Sequence, residues 1–366
     1  MRPNKGYWST NGKIFDIKIN ALVEASKAGT ELEFHYNDAQ WDKADWSKEP
    51  TESLYDLYAK RAHQLRKKYK TLILRFSGGS DSTNILKVFI ENNIKIDAIV
   101  VNEFYELSGV DRASHPGSWE KLEIALPFLD KIQKDGVEFE RYELDISRYF
   151  LDIGQSPDWI YKINAPRLRL VEIAAPRSAK HPALAKYDRP DTCIVSGIDK
   201  PWVWCKNDKI WYFSMSDLAP VLVDPVHSKM VQEPFYWTAD MPELVIKQCH
   251  VVKKYFQQNP GLHPKGIDET VSVAATKSWL IPLIYDRYYD FKPGSELPYL
   301  NMSPVTKNGP YCGYIDFGIE NMPIYQTHLD GIRLADKVVA DRFKIDGSIE
   351  HGGIDAVYGK KRWLGP

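Results

Sequence analysis

Residues 77–82, Ser77-Gly78-Gly79-Ser80-Asp81-Ser82, combine backbone freedom, hydroxyl groups and one carboxylate. Gly78 and Gly79 permit left-handed torsions and close approach of the backbone to a ligand. Amides exposed by such a turn form an anion-binding concavity, above all where a helix begins. Ser77, Ser80 and Ser82 add hydroxyl donors. The carboxylate of Asp81 would repel a phosphate unless a cation stood between them, and Mg²⁺ is the usual mediator. The turn therefore suits a metal-bound polyphosphate. It lacks the G-x-x-x-x-G-K-[ST] pattern, so it is not a Walker loop.

Such a turn needs a strand before it and a helix after it. "TLILRFS" reads as a buried strand and "STNILKVFIENN" as a helix. The alternation continues with "IKIDAIVVNEF" as a strand, "SWEKLEIALPFLDKIQKDG" as a helix and "VEFERYELD" as a third strand. A helical stretch around "NAPRLRLVEIAAPRSA" then leads to a fourth strand in "DTCIVSGI". Strands separated by helices predict an α/β fold with a doubly wound, mostly parallel sheet covered on both faces. Ligands of such sheets bind beyond the carboxyl ends of the strands.

Around this centre the spacing predicts a helix in "ESLYDLYAKRAHQLRKKYK", with Leu54, Leu57, Tyr58, Ala62 and Leu65 on one face. Its basic end suits the negative end of the helix dipole. Residues 1–54 form a polar, aromatic N-terminal extension, with loops or short edge elements and a strand in "GKIFDIKIN". Residues 55–290 form the main domain and residues 291–366 a Gly- and Pro-rich C-terminal extension, whose Lys360, Lys361 and Arg362 read as a solvated end, or else close over a substrate or contact a polyanion. Within the main domain "KIWYFSM" favours a hairpin or packed insertion, its aromatics serving the core or stacking on a planar substrate. Further helices are expected in "MPELVIKQCHVVKKYFQQN" and "VSVAATKSWLIPLIYDRYY".

The turn matches the SGG-x-DS signature of the PP-loop family, the ATP pyrophosphatases, and over roughly residues 55 to 290 the chain resembles the synthetase domains of asparagine and β-lactam synthetases. The resemblance implies an adenine nucleotide alpha hydrolase-like fold, ATP and Mg²⁺ as cofactors, and ATP cleavage between the α and β phosphates. The loop would hold the leaving pyrophosphate while AMP passes to a substrate oxygen. It implies nucleotide contacts from Phe76, Ser77, Gly78, Gly79, Ser80, Asp81, Ser82, Val101, Asn102 and Gly197, with Asp81 on the metal. Glu103 would touch ribose or substrate, or else stand as a surface carboxylate.

"TCIVSGIDKPWVW" is similar to the family's second motif, SG-x-G-x-DE, with one residue and the second glycine missing and Lys200 in place of the glutamate. By this likeness Asp199 supplies a second metal ligand; its alternative reading is a turn-capping residue beside Pro201. "VQEPFYWTADMPELVIKQCHVV" resembles the R-x-PF-x-D segment. "TKSWLIPLIYDRYYD" resembles the late K-x-x-L-R helix, though Pro282 stands near the place of its arginine. Lys277 would there stabilise charge on the reacting acyl-adenylate, or else be a solvated helix lysine.

Composition narrows the classes. A net charge of −1 gives no reason to expect nucleic acid or a membrane surface, and 13% aromatic residues argue against disorder. Met1-Arg2 and the polar start exclude a secretory signal and an in-chain glutaminase with an N-terminal cysteine nucleophile, as expectations from this sequence. Cys193, Cys205, Cys249 and Cys312 include no C-x-x-C pair, which fits idle thiols in a reducing cytoplasm. The expected function is an asparagine synthetase-like ligase. It would act on a small-molecule substrate, with nitrogen from free ammonia, a substrate amine or a separate ammonia-supplying partner. The alternatives are a nucleobase- or tRNA-modifying enzyme, which the missing C-x-x-C pairs and neutral charge disfavour, and a non-catalytic nucleotide-binding scaffold.

Overall fold

The computed structural model describes residues 4–197, 201, 203–206, 210–218, 228–259 and 318–366. The expected helix in "VSVAATKSWLIPLIYDRYY" lies outside them, as do Asp199, Lys277 and Cys312.

The N-terminal segment forms a small antiparallel sheet from β1 (Tyr7–Thr10), β2 (Lys13–Phe15) and β3 (Glu33–His35), in the order β2-β1-β3. The strand expected in "GKIFDIKIN" stops at Phe15, and helix α1 (Lys18–Ala28) follows. Its Ile19, Ala21, Leu22 and Ala25 are buried, a helical spacing that overrides the short alternation before it. A short α2 (Asp38–Trp41) leads to α3 (Leu54–Lys68), whose N-cap Ser53 accepts the Asp56 amide. Leu57, Tyr58, Ala62 and Leu65 are buried on the expected face, and fully buried Arg61 joins them.

The central sheet takes β4 (Thr71–Arg75), β5 (Ala98–Glu103), β6 (Glu140–Asp145), β7 (Thr192–Ser196) and β10 (Val231–Pro234) in the order β10-β7-β4-β5-β6, every pair parallel. The helices between them are α4 (Ser80–Glu91), α5 (Leu126–Lys134) and α6 (Leu170–Arg177), and α7 (Pro242–Gln258) follows β10. Parallel pairing sends the outgoing ends of all five strands to one edge. From β4 the chain first steps to β5 and β6, then returns to its other side for β7 and β10. The connections leaving β4 and β7 therefore diverge, which opens a crevice between them.

The aromatic segment after β7 forms the expected hairpin, β8 (Val203–Lys206) with β9 (Ile210–Phe213), and Trp211, Tyr212 and Phe213 are buried in the core. Phe213 stacks on Trp46 with ring centroids 5.0 Å apart. Lys360 and Lys361 are exposed, as expected of a solvated end, but Arg362 is not. Residues Arg362–Trp363 form β11, paired with β9, and Arg362 Nη2 bonds Asp38 Oδ1 at 2.6 Å and Asp42 Oδ1 at 3.2 Å. Arg362 is buried and stands over the rings of Trp41 and Trp46, so packing and charge together draw the tail in. The C-terminal segment also holds α8 (Pro323–Val338).

Buried Asp217 ties three distant parts of the chain together. It accepts from Trp8 Nε1 at 2.9 Å and from the Val357 amide at 3.0 Å, and it pairs with Lys18 Nζ at 2.9 Å. Cys193, Cys205 and Cys249 are buried and form no disulfide, and burial pushes the thiols of Cys193 and Cys249 upward. No helix among the described residues is long and apolar enough to cross a membrane.

Candidate functional site

Between the outgoing ends of β4 and β7 lies a cavity of about 410 Å³, within the usual size of ligand pockets. Phe76, Ser77, Ser82, Asn102 and Gly197 line it, all from the expected set. Gly78, Gly79, Ser80 and Asp81 form the turn beside it. Val101 is buried in β5, and its neighbours Val100 and Asn102 face the cavity in its place.

The turn braces itself. Ser82 Oγ accepts the Ser77 amide at 3.2 Å, Ser77 Oγ accepts the Gly79 amide at 3.2 Å, and Thr83 Oγ1 donates to the Gly78 carbonyl at 3.3 Å. Gly78 has φ +82°, and a Cβ there would stand 3.1 Å from Ala125, so the position needs glycine on two counts. Gly79 caps α4 in an extended conformation, so the turn feeds straight into the helix N-terminus.

Ala125 ends a wide turn, Lys121–Ala125, closed by the Leu126 amide on the Lys121 carbonyl. Pro127 in the first turn of α5 explains it: proline has no amide to donate, and its ring would crowd the carbonyl of residue 123 in a regular helix. The widened turn sets Lys121 into the cavity wall and Glu120 beside the glycine turn.

Gly197, directly after β7, lies close against the first turns of α4. A Cβ on it would lie 2.8 Å from Ile85 Cδ1 and 3.1 Å from the Asp81 carbonyl carbon. Gly197→Ala is therefore expected to displace the first turn of α4 and cost about 1–3 kcal/mol of stability by overpacking, measured by urea unfolding. An unchanged denaturation midpoint would refute this close approach. Tyr236 supports the same turn from β10's side, donating from its hydroxyl to the Asp81 carbonyl at 2.9 Å and accepting from Asn84 Nδ2 at 3.0 Å.

Three basic residues that the sequence did not single out also line the cavity: Arg75, Arg167 and Arg169. Arg75 ends strand β4. Its guanidinium donates to Ser178 Oγ at 3.1 Å and Gln232 Oε1 at 3.3 Å, and burial brings its pKa down to about 10. The single lining carboxylate among the described residues is Glu172, which accepts the Arg167 amide at 2.8 Å and is pushed upward by burial. Four cations against one carboxylate make the wall electropositive. A charged residue inside the apolar run "TLILRFS" was a legible signal for Arg75, since such residues are seldom buried without a reason. Arg167 and Arg169 carried no such local mark.

These last two share a backbone device. Leu168 between them is left-handed, with φ +58°, a conformation costly for a leucine. His328 of α8 holds it, its Nε2 bonding the Leu168 carbonyl at 2.8 Å while its ring stacks on Trp159 with centroids 5.4 Å apart. Buried Nδ1 has no hydrogen-bond partner, so protonation would place an unpaired N–H in an apolar site, and burial brings the pKa from 6.5 down to about 4. The folded state therefore favours neutral imidazole. Its contribution is full above pH 6.5 and is lost progressively as pH falls from there to about 4. Over that window stability is expected to fall by about 3 kcal/mol from this group. His328→Gln should remove that component from urea midpoints measured against pH; an unaltered pH slope would refute the assignment.

Glu103 is neither a cavity group nor a surface carboxylate. It is buried and accepts from Arg112 Nε at 2.8 Å, with the Nη2 group on its other oxygen. Among the described residues no three His, Cys, Asp or Glu side chains cluster as a metal site. A magnesium ion completed by substrate phosphates needs only one or two protein carboxylates. The carboxylates nearest the glycine turn are Asp81, in the first turn of α4, and Glu120, whose Oε1 lies 3.7 Å from where a Gly79 Cβ would be and whose Oε2 pairs with Lys121 Nζ at 3.5 Å.

The chain matches no family model, and no curated protein matches it. Fold and cavity define an α/β protein with a five-stranded parallel sheet and a cation-walled cavity at its carboxyl edge.

Proposed function

We propose that this protein is a Mg·ATP-dependent synthetase of the PP-loop type. It adenylates a carboxylate or amide-type carbonyl with release of pyrophosphate, and an amine then displaces AMP to form a C–N bond. The observation that carries the reading is the position of the Ser77–Ser82 turn, at the helix N-terminus beside a cavity where the strand order reverses. The doubly wound, adenine nucleotide alpha hydrolase-like description of the fold belongs to the same proposal, supported by the order β10-β7-β4-β5-β6.

In this reading the amides around Gly78 and Gly79 and the hydroxyls of Ser77 and Ser82 orient the polyphosphate. Asp81 and Glu120 would hold magnesium, which supplies charge neutralisation on the departing pyrophosphate when bound. Lys121 offers a fixed cation for charge developing on the transferred phosphoryl group. Asn102 Oδ1, buried without a hydrogen-bond partner, accepts from an adenine amino group or a ribose hydroxyl. Asp199 as a second metal ligand and Lys277 as stabiliser of the acyl-adenylate are further parts of the proposal. The amine is free ammonia, a substrate amine, or ammonia from a separate partner.

The test is a screen of carboxylic acids, amides and nucleobases for substrate-dependent pyrophosphate release with Mg·ATP. Pyrophosphate and AMP are the expected products. Orthophosphate and ADP would overturn the cleavage site, and ATP binding without turnover across the screen would favour a nucleotide-binding scaffold instead.

A further inference from the structure

Arg75 is a partly buried arginine whose guanidinium hydrogen bonds go to neutral groups, Ser178 and Gln232, while its shielded Nε has no hydrogen-bond partner. Among the described residues no carboxylate pairs with it, and burial alone brings its pKa to about 10. A guanidinium at the cavity wall with a shielded, unpartnered Nε and no counter-charge leaves hydrogen-bonding capacity that an anionic ligand would complete. Ser196, 5% exposed and lining the same cavity, has a hydroxyl without a hydrogen-bond partner.

Arg75 does not belong with the amide turn. Successive residues of a strand point to opposite faces of the sheet. Phe76 packs on Phe128 of α5, with ring centroids 5.8 Å apart, whereas Arg75 reaches Ser178 after α6 and Gln232 on β10. The α6 side also supplies Arg167 and Arg169 to the wall. The cavity thus has two anion seats of different construction, neutral amides by α4 and guanidinium groups by α6.

We propose that the α6 side of this cavity binds an oxyanion carried by the substrate itself, a carboxylate or phosphate seated on Arg75 with Ser196 as a further donor. This rests on the synthetase reading for the word substrate, while the seat itself is independent of it. A guanidinium fork matches either oxyanion with two parallel hydrogen bonds. The substrate class is therefore a small acid whose reacting carbonyl is distinct from the group that anchors it.

The experiment is calorimetric titration of wild type, Arg75→Met and Arg75→Gln with malonate and with inorganic phosphate in the absence of nucleotide, and separately with Mg·ATP. Wild type is expected to bind malonate or phosphate, and the preferred one names the oxyanion. Both variants should weaken that binding by about tenfold or more, the loss of a charge-assisted hydrogen bond, and leave Mg·ATP affinity within about twofold. In anion-free buffer Arg75→Met should melt higher than wild type, because it removes an unpaired charge, and only wild type should gain from the anion. Binding of neither anion to wild type overturns the proposal. So does an equal loss of Mg·ATP and anion affinity, which would place Arg75 in the nucleotide seat. Should wild type fail to bind Mg·ATP yet bind the anion through Arg75, the nucleotide reading falls and the oxyanion seat stands.

Discussion

Asp81→Asn is expected to lower pyrophosphate release by about a thousandfold while the protein stays folded. The substitution keeps the size and shape of the side chain and removes its charge. The first turn of α4 is held through main-chain atoms, with the Tyr236 hydroxyl on the Asp81 carbonyl and the Thr83 amide on the Gly79 carbonyl. What the fold loses is a carboxylate near a helix N-terminus, about 0.3–1 kcal/mol. Under the proposed chemistry the catalytic loss is much larger, because a neutral amide would hold magnesium far less well than the Asp81 carboxylate. Raising Mg²⁺ should recover part of the lost rate. Pyrophosphate release at the wild-type rate by a folded Asp81→Asn variant would remove Asp81 from the metal site.

The largest effect on stability is expected at Glu233, at the base of the segment that carries Tyr236. Glu233 Oε2 pairs with Arg61 Nη2 at 3.0 Å, and Oε1 accepts from Lys68 Nζ at 2.8 Å and Tyr69 Oη at 2.6 Å. The Arg61 and Glu233 side chains are 0% and 3% exposed, so water cannot replace a lost partner. Glu233→Gln leaves Arg61 charged and unpaired in the interior and should cost about 3–5 kcal/mol in urea unfolding. The double substitution Arg61→Met, Glu233→Leu should recover much of this, since well-packed apolar groups can replace a buried ion pair. An unshifted midpoint for Glu233→Gln would sink the assignment.

The same carboxyl predicts a second acid-sensitive component. Burial pushes its pKa upward, but Arg61, Lys68 and Tyr69 outweigh that and hold it below the ordinary value. Its stabilisation is therefore complete above the ordinary carboxylate range and is lost as pH falls through the lower folded value. This loss lies in more acid solution than the onset of the loss from His328, whose ordinary value is 6.5.

Elements with strong local periodicity were legible without coordinates. β4, β5 and β7 follow apolar runs, β6 follows alternation, and α3, α4 and α7 follow apolar spacing of 3 and 4 residues. β10 was not legible, because its four residues "VQEP" include a buried glutamate and a proline, and pairing with β7 makes them a strand. α8 was hidden by the Gly331 at its middle. That glycine is required by packing: a Cβ there would fall 2.1 Å from Trp159 Nε1. Arg362 alone departed from the solvated reading of the chain end, because its partners, Asp38 and Asp42, lie more than 300 residues earlier.

By itself the sequence determined the glycine-serine turn, the strand and helix that flank it, and the parallel α/β class, since these follow from torsional freedom and periodicity within about 20 residues. Tertiary structure alone decided the rest of the cavity. Arg75, Lys121, Arg167, Arg169 and Ser196 converge because the sheet places β7 beside β4, the Pro127 turn swings Lys121 inward, and His328 holds Leu168 left-handed. Each of these depends on contacts between residues far apart in the chain, and no local pattern of side chains encodes a strand order.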